Sequence, residues 1–173
     1  MSWAGEFDLK LMSYNVQGLP LPRFHVDERM PRIARVLRQW RAEGRAPHII
    51  AFQEGFSRKV RDMVRDSGYP YVVYGPDRTG AIELNSGILI ASEYPIRLLG
   101  THHFTQCVGW DCEANKGVMA VEVTIPGVPE PLLILNTHLN ADPTSDPFTS
   151  PDDTFFVRIT QIQEIREFLW QVN

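Results

Sequence analysis

Residues 48–54, "HIIAFQE", decide how the rest of the chain is read. The run is short and apolar, so it reads as a strand. It ends in a carboxylate. Upstream, Ile33, Val36, Leu37 and Trp40 follow the i, i+3, i+4, i+7 pattern of a helix, expected to begin near Pro31 and to stop at Gly44 and Pro47. Downstream, Val60, Met63 and Val64 mark a second helix that Gly68 can close. Ahead of both, "FDLKLMSYNV" (residues 7–16) alternates, with Leu9 and Leu11 on one side and Met12, Tyr14 and Val16 on the other. That pattern predicts a strand covered on both faces, and gives the order strand, helix, strand, helix.

Beyond Gly68 the texture changes. "YVVYG", "SGILIAS", "IRLLGTHHF", "GVMAVEVTI" and "PLLILNTHL" are strand-like runs separated by Gly, Pro, Asn and Asp, which predicts a mainly antiparallel section. "NADPTSDPFTSPDD" reads as a surface loop. A last helix follows, its periodicity carried by Ile162, Ile165, Phe168 and Leu169. Neither an internal repeat nor a linker divides the 173 residues, a length that suits one domain with one main core.

Composition narrows the function classes. Lys and Arg number 17 against 21 Asp and Glu, so the net charge of -4 gives no basic footprint for a long phosphate backbone, and nucleic acid is disfavoured. The basic clusters in "RIARVLRQWRAEGR" and "SRKVRDMVR" fall at helical spacing and read as solvated helix faces. No apolar run approaches the roughly 18 residues of a membrane helix. The first residues lack the basic and apolar regions of a secretory signal, which fits a cytoplasmic protein or one whose signal has been removed. Cys107 and Cys112 are separated by four residues, a spacing open to a small disulfide or to two free thiols.

Three polar residues share one context. Asn15, Glu54 and His138 each stand at or just past the carboxyl end of a strand-like run. Strand ends that neighbour one another can converge on one cleft, where open α/β sheets place ligands. An amide and a carboxylate are oxygen donors suited to Mg²⁺ or another hard divalent cation, and a histidine beside them can hydrogen-bond a phosphoryl oxygen or leaving group. Together they suggest cation-assisted attack on a phosphoester. Each also has a plain structural reading: Asn15 as a turn residue, Glu54 as the capping carboxylate of the next helix, His138 as a satisfied core histidine.

The strings "LMSYNVQGLP", "IIAFQEGF", "LNSGILIASEYPI", "ANKGVMAVEV" and "ILNTHLNAD", in this order, resemble the endonuclease/exonuclease/phosphatase superfamily. "LNSG", "NKG" after a cysteine-containing loop, and "NTHLNAD" followed by "RITQIQEI" are similar to neutral sphingomyelinases and related phospholipase C-type phosphodiesterases. The resemblance implies an α+β fold, a four-layer α/β/β/α sandwich. It implies that Glu54 binds Mg²⁺, that Asn15 supports the metal and the phosphate, and that His138 hydrogen-bonds the phosphate or assists the leaving group. It places Asn85, Lys116 and Asn140 in strings near the substrate, where Asn85 as a turn residue and Lys116 as a surface residue are the alternatives. The implied substrate is a phosphoester, a sphingomyelin-like headgroup first, met at a peripheral membrane surface. A nuclease or a phosphoinositide phosphatase would use the same fold.

Two later motifs of this superfamily, a "GDFN"-like and an "SDH"-like string, do not occur here, and they supply the residues around the attacking water and the general base. The other histidines, His25, His48, His102 and His103, have no matching spacing. The expectation is a sandwich of about the first two-thirds, truncated on its carboxyl side, with hydrolysis belonging to the intact protein. A non-catalytic fragment or binding module is the alternative.

Overall fold

The computed structural model describes residues 8–19, 25–78, 84–142 and 149–172. Four strands, β1 (Leu11–Asn15), β2 (Ile49–Gln53), β3 (Tyr71–Tyr74) and β4 (Leu89–Ser92), form one sheet in the order β1-β2-β4-β3. Three more, β5 (Ile96–His103), β6 (Gly117–Val123) and β7 (Leu132–Thr137), form a second sheet in sequence order. Only β1 and β2 pair in parallel, joined through helix α1 (Val26–Ala42); every other pairing among named strands is antiparallel. Helix α2 (Arg58–Ser67) lies beside α1, and α3 (Pro151–Val172) covers the second sheet.

The alternation of side chains along each strand builds the layers. Ile50 and Phe52 of β2 with Leu89 and Ala91 of β4 pack on Met30, Ala34 and Leu37 of α1 and Val60, Met63 and Val64 of α2. The opposite faces, Ile49, Ala51 and Ile90, meet Met119, Val121, Val123 and Ile134 of the second sheet. Val118 and Ala120 turn outward onto Phe168 and Ile165 of α3. The result is the α/β/β/α sandwich that the resemblance implied, and β2 is a strand buried on both faces.

Three local expectations are corrected. Helix α1 begins at Val26, not near Pro31: Val26 and Met30 extend its buried stripe, Asp27 and Glu28 suit the positive end of its dipole, and Pro31 is accommodated on the exposed face. Strand β1 is covered less than its pattern suggested, because it is a sheet edge and Leu11 is 56% exposed. In α3 the buried stripe is Thr154, Gln161 and Phe168 at seven-residue spacing, whereas Ile162 points to solvent. The basic residues Arg32, Arg35, Arg38, Arg58, Lys59 and Arg65 line exposed helix faces, as their spacing indicated. Among the described residues no helix is long and apolar enough to cross a membrane. Cys107 and Cys112 form a disulfide.

Candidate functional site

The parallel pairing of β1 with β2 sets Asn15 opposite Gln53, so Asn15 and Glu54 leave the sheet at the same end. Asn15 Nδ2 donates to Glu54 Oε1 at 2.7 Å, and Asn15 Oδ1 accepts from Gln17 N at 2.9 Å. Glu54 and Gln17 both have left-handed backbones, with φ of 56° and 48°. Such a conformation costs a non-glycine residue roughly 1–2 kcal/mol, and this position would suit glycine, so the carboxylate side chain is kept against a backbone preference. The bend is braced on two sides. Gly18 N donates to Glu54 O at 2.9 Å, and the Arg29 guanidinium donates to the carbonyls of Val16 and Gln17. Helix α2 starts at Arg58 after Ser57, which places Glu54 ahead of its first turn and removes the capping role.

The second sheet supplies the opposite charge. Lys116 precedes β6, and its side chain is only 5% exposed, so the surface role does not hold. Its Nζ donates to Leu139 O at 2.9 Å and pairs with Asp111 Oδ1 at 2.7 Å. Burial pushes the Lys116 pKa down, while Asp111 and, more weakly, Glu54 draw it back up. His138 follows Thr137, whose partner across the sheet is Val118. Burial first, and the Lys116 charge second, lower the His138 pKa to about 4, so its imidazole is neutral at physiological pH. Its Nδ1 is buried without a hydrogen-bond partner among the described residues, unlike a satisfied core histidine. Lys116 interacts electrostatically with both Glu54 and His138, and so joins the two sides of the site.

Asn136 locks the sheets together just behind these groups. From β7 its Nδ2 donates to Phe52 O and Leu89 O at 2.9 and 3.0 Å, and its Oδ1 accepts from Gln53 Nε2 at 2.8 Å. Neither Asn136 nor Asp111 stood out in the sequence; the adjacency of Asp111 to Cys112 and of Asn136 to the histidine string was the available signal.

The other candidates sit further out. Asn85 makes the turn to Gly87, its Oδ1 accepting from Gly87 N at 2.9 Å. It also lines a cavity of about 240 Å³ with Gly55, Arg61, Tyr74, Asp77 and Ser86. Asn140 is buried and serves its neighbours: its Oδ1 accepts from Val108 N at 3.1 Å, and its backbone N–H donates to Gln161 Oε1 at 2.9 Å. His102 faces α3, where it contacts Glu164 at 2.6 Å and stacks on Phe168. His48 sits six residues from Glu54 at the opposite end of β2, roughly 20 Å along a strand.

Among the described residues no group of three or more His, Cys, Asp or Glu side chains clusters as a metal cage. The donor set fits a different kind of ion. One carboxylate, oriented by an amide and interacting electrostatically with a buried ammonium, suits a hard cation that keeps most of its shell for water and phosphate oxygens.

No model of a known family matches the sequence. The chain is 33% identical over 135 residues to sphingomyelinase C of Listeria ivanovii, an alignment covering 71% of this chain and 38% of that protein. It is 31% identical over 133 residues to an uncharacterised protein of Dictyostelium discoideum, covering 70% of this chain and 12% of that one. The chain thus spans well under half the length of these curated relatives. A structure of Staphylococcus aureus beta toxin with bound magnesium ions superposes with a TM-score of 0.76 at 22% identity, covering 96% of this chain and 60% of the toxin. The chain thus has the fold of the endonuclease/exonuclease/phosphatase superfamily and resembles its sphingomyelinase members over the part of them that it spans.

Proposed function

We propose that the intact protein is a divalent-cation-dependent phosphodiesterase, magnesium being the first candidate, and that its substrate is the headgroup ester of a sphingomyelin-like phospholipid. The pairing of Glu54 with Asn15 in one electrostatic field with Lys116 and His138 carries this reading. The relation to sphingomyelinase C and the magnesium bound in beta toxin support it.

Glu54 would hold the cation, with Asn15 fixing the carboxylate in place; bound there, the ion would neutralise charge that builds on the phosphoryl oxygens. Lys116 is a buried positive charge that adds to the attraction for an anionic phosphate. His138, neutral at working pH, donates a hydrogen bond to a phosphoryl or leaving-group oxygen more readily than it donates a proton. Asn85, beside the cleft through Gly55, is a contact for the rest of the substrate, and Asn140 acts through the loops that it pins. None of these groups is suited to activate water, consistent with the missing "GDFN"-like and "SDH"-like strings, so the 173-residue chain is expected to lack turnover. A bilayer surface is the expected meeting place with such a lipid.

A second reading keeps the chemistry and changes the substrate to a phosphoinositide. The cavity next to Gly55 favours it, because Arg61 on its wall could meet a further phosphate. Magnesium-stimulated release of phosphocholine from sphingomyelin vesicles by the intact protein tests the first reading against the second. Loss of that release in Glu54→Gln supports it; undiminished release in the variant, or release of phosphate from phosphoinositides alone, refutes it.

A further inference from the structure

We propose that His103 is a positioning residue for His138: one buried water joins the Nδ1 atoms of the two imidazoles and so keeps the His138 proton on Nε2. The use of that proton for a phosphoryl oxygen rests on the phosphoester reading; the pairing of the histidines does not. Among the described residues both Nδ1 atoms are buried and have no hydrogen-bond partner. The second sheet brings them close. His103 ends β5 opposite Gly117, the first residue of β6. On the other side of β6, Val118 pairs with Thr137 of β7, so the next step in that register sets His138 beside Gly117. Contacts continue past the strand ends in the same register: Thr137 Oγ1 donates to Gly117 O and Lys116 Nζ to Leu139 O, each at 2.9 Å. His103 and His138 therefore flank Gly117, their Cα atoms roughly 10 Å apart, which is two strand spacings.

Both rings lie on one face. His102 meets Glu164 and Phe168 of α3, so alternation turns His103 towards the space between the sheets. His138 stands two residues beyond Asn136, whose side chain crosses that space to Phe52 O and Leu89 O. Gly117 puts no side chain between the two, and a Cβ there would run into the His102 carbonyl. A buried nitrogen without a partner forfeits a hydrogen bond, and a buried water restores it where polar groups face each other across a small gap. The consequence is chemical. A neutral imidazole carries one proton, and the hydrogen bond at one nitrogen decides which nitrogen holds it. His103 Nδ1–H donates to the water, and the water donates to His138 Nδ1, which is then the unprotonated nitrogen. The His138 proton is left on Nε2, where it can be donated.

Long-range ¹H–¹⁵N spectra of the histidine rings in the 173-residue chain test this, because they tell a protonated ring nitrogen from an unprotonated one. The unaltered chain is expected to show His138 protonated on Nε2 alone and His103 on Nδ1 alone, with a cross-peak from the His103 Nδ1 proton to a long-lived water. A His138 proton on Nδ1, or no water cross-peak, overturns the proposal without any variant. His103→Phe keeps a ring and removes the donor, and should leave His138 as a mixture of both forms. His103→Gln restores a side-chain donor and should recover part of the single form, which a merely space-filling role would not. His138→Phe should release the His103 proton in turn. Unchanged amide signals across β1 to β4 show that the fold survives each change. A His138 ring that keeps its single form in His103→Phe overturns the proposal.

Phosphocholine added with Mg²⁺ to the same samples reads the consequence. It is expected to shift the His138 Nε2 signal and to leave His103 protonated on Nδ1. If the two rings behave as stated and phosphocholine shifts neither, the phosphoester reading fails while the positioning role stands.

Discussion

The two sides of the site are built in opposite ways. At the end of β1 and β2 a half-exposed carboxylate is set by backbone: two left-handed residues, a glycine against the Glu54 carbonyl, and one side-chain amide. Before β6 a buried cation is set by side chains: an ion pair from a disulfide loop and one carbonyl. The difference fits the roles proposed for each side. A group proposed to bind a hydrated cation has to stay open to water, whereas an ammonium proposed to attract phosphate gains strength from burial as long as a counter-charge keeps it ionised.

The largest effect should come from cutting the tie between the sides. Asn136→Ala leaves the Phe52 and Leu89 carbonyls and the Gln53 amide without their partner, and is expected to cost about 3 kcal/mol of stability in urea unfolding. A loss under about 0.5 kcal/mol would mean that the sheets do not depend on it.

Acid should distinguish the sides next. His138 has its folded pKa lowered to about 4, so between about pH 6.5 and 4 the unfolded chain binds the extra proton. Stability from this group is full above about pH 6.5 and falls as the pH drops towards 4, by up to about 3 kcal/mol. Urea midpoints measured across that range should fall less steeply in His138→Asn; parallel slopes would contradict the buried neutral imidazole.

The backbone side should answer to small changes. A Cβ at Gly18 would stand 2.6 Å from Glu54 O and 2.4 Å from a Val60 methyl, so Gly18→Ala is expected to cost about 1–3 kcal/mol and to shift the Glu54 backbone resonances. Resonances that stay put would show the bend to be set elsewhere. The smallest effect has the opposite sign: Glu54→Gly should raise stability by about 0.5–1 kcal/mol in thermal unfolding, because glycine accepts the left-handed backbone. A drop would show that the carboxylate stabilises the fold.

Much of this arrangement was legible in the sequence. The uninterrupted run at Ile49–Gln53, the alternation in the later strands and the helix stops at Gly44 and Gly68 are local signals, and local physics decides them. The convergence of Asn15 and Glu54 was readable because both end strands that a single crossover makes parallel neighbours. What escaped depends on contacts across sequence. Asn136 matters through two carbonyls on other strands, and Asp111 through a lysine that only the folded loop brings near. In α3 the polar Gln161 takes a core position because Asn140 N and Gln106 O need it, so a reading of apolar spacing put Ile162 there instead.

That Glu54 holds a divalent cation is the central claim, and manganese, as a paramagnetic stand-in for magnesium, tests it most directly. Substoichiometric Mn²⁺ added to the chain is expected to broaden the Asn15 side-chain amide and the Gln17 amide first, to be displaced by Mg²⁺, and to lose that effect in Glu54→Gln. Broadening that survives Glu54→Gln, or that centres on the exposed Asp152 and Asp153, would contradict it.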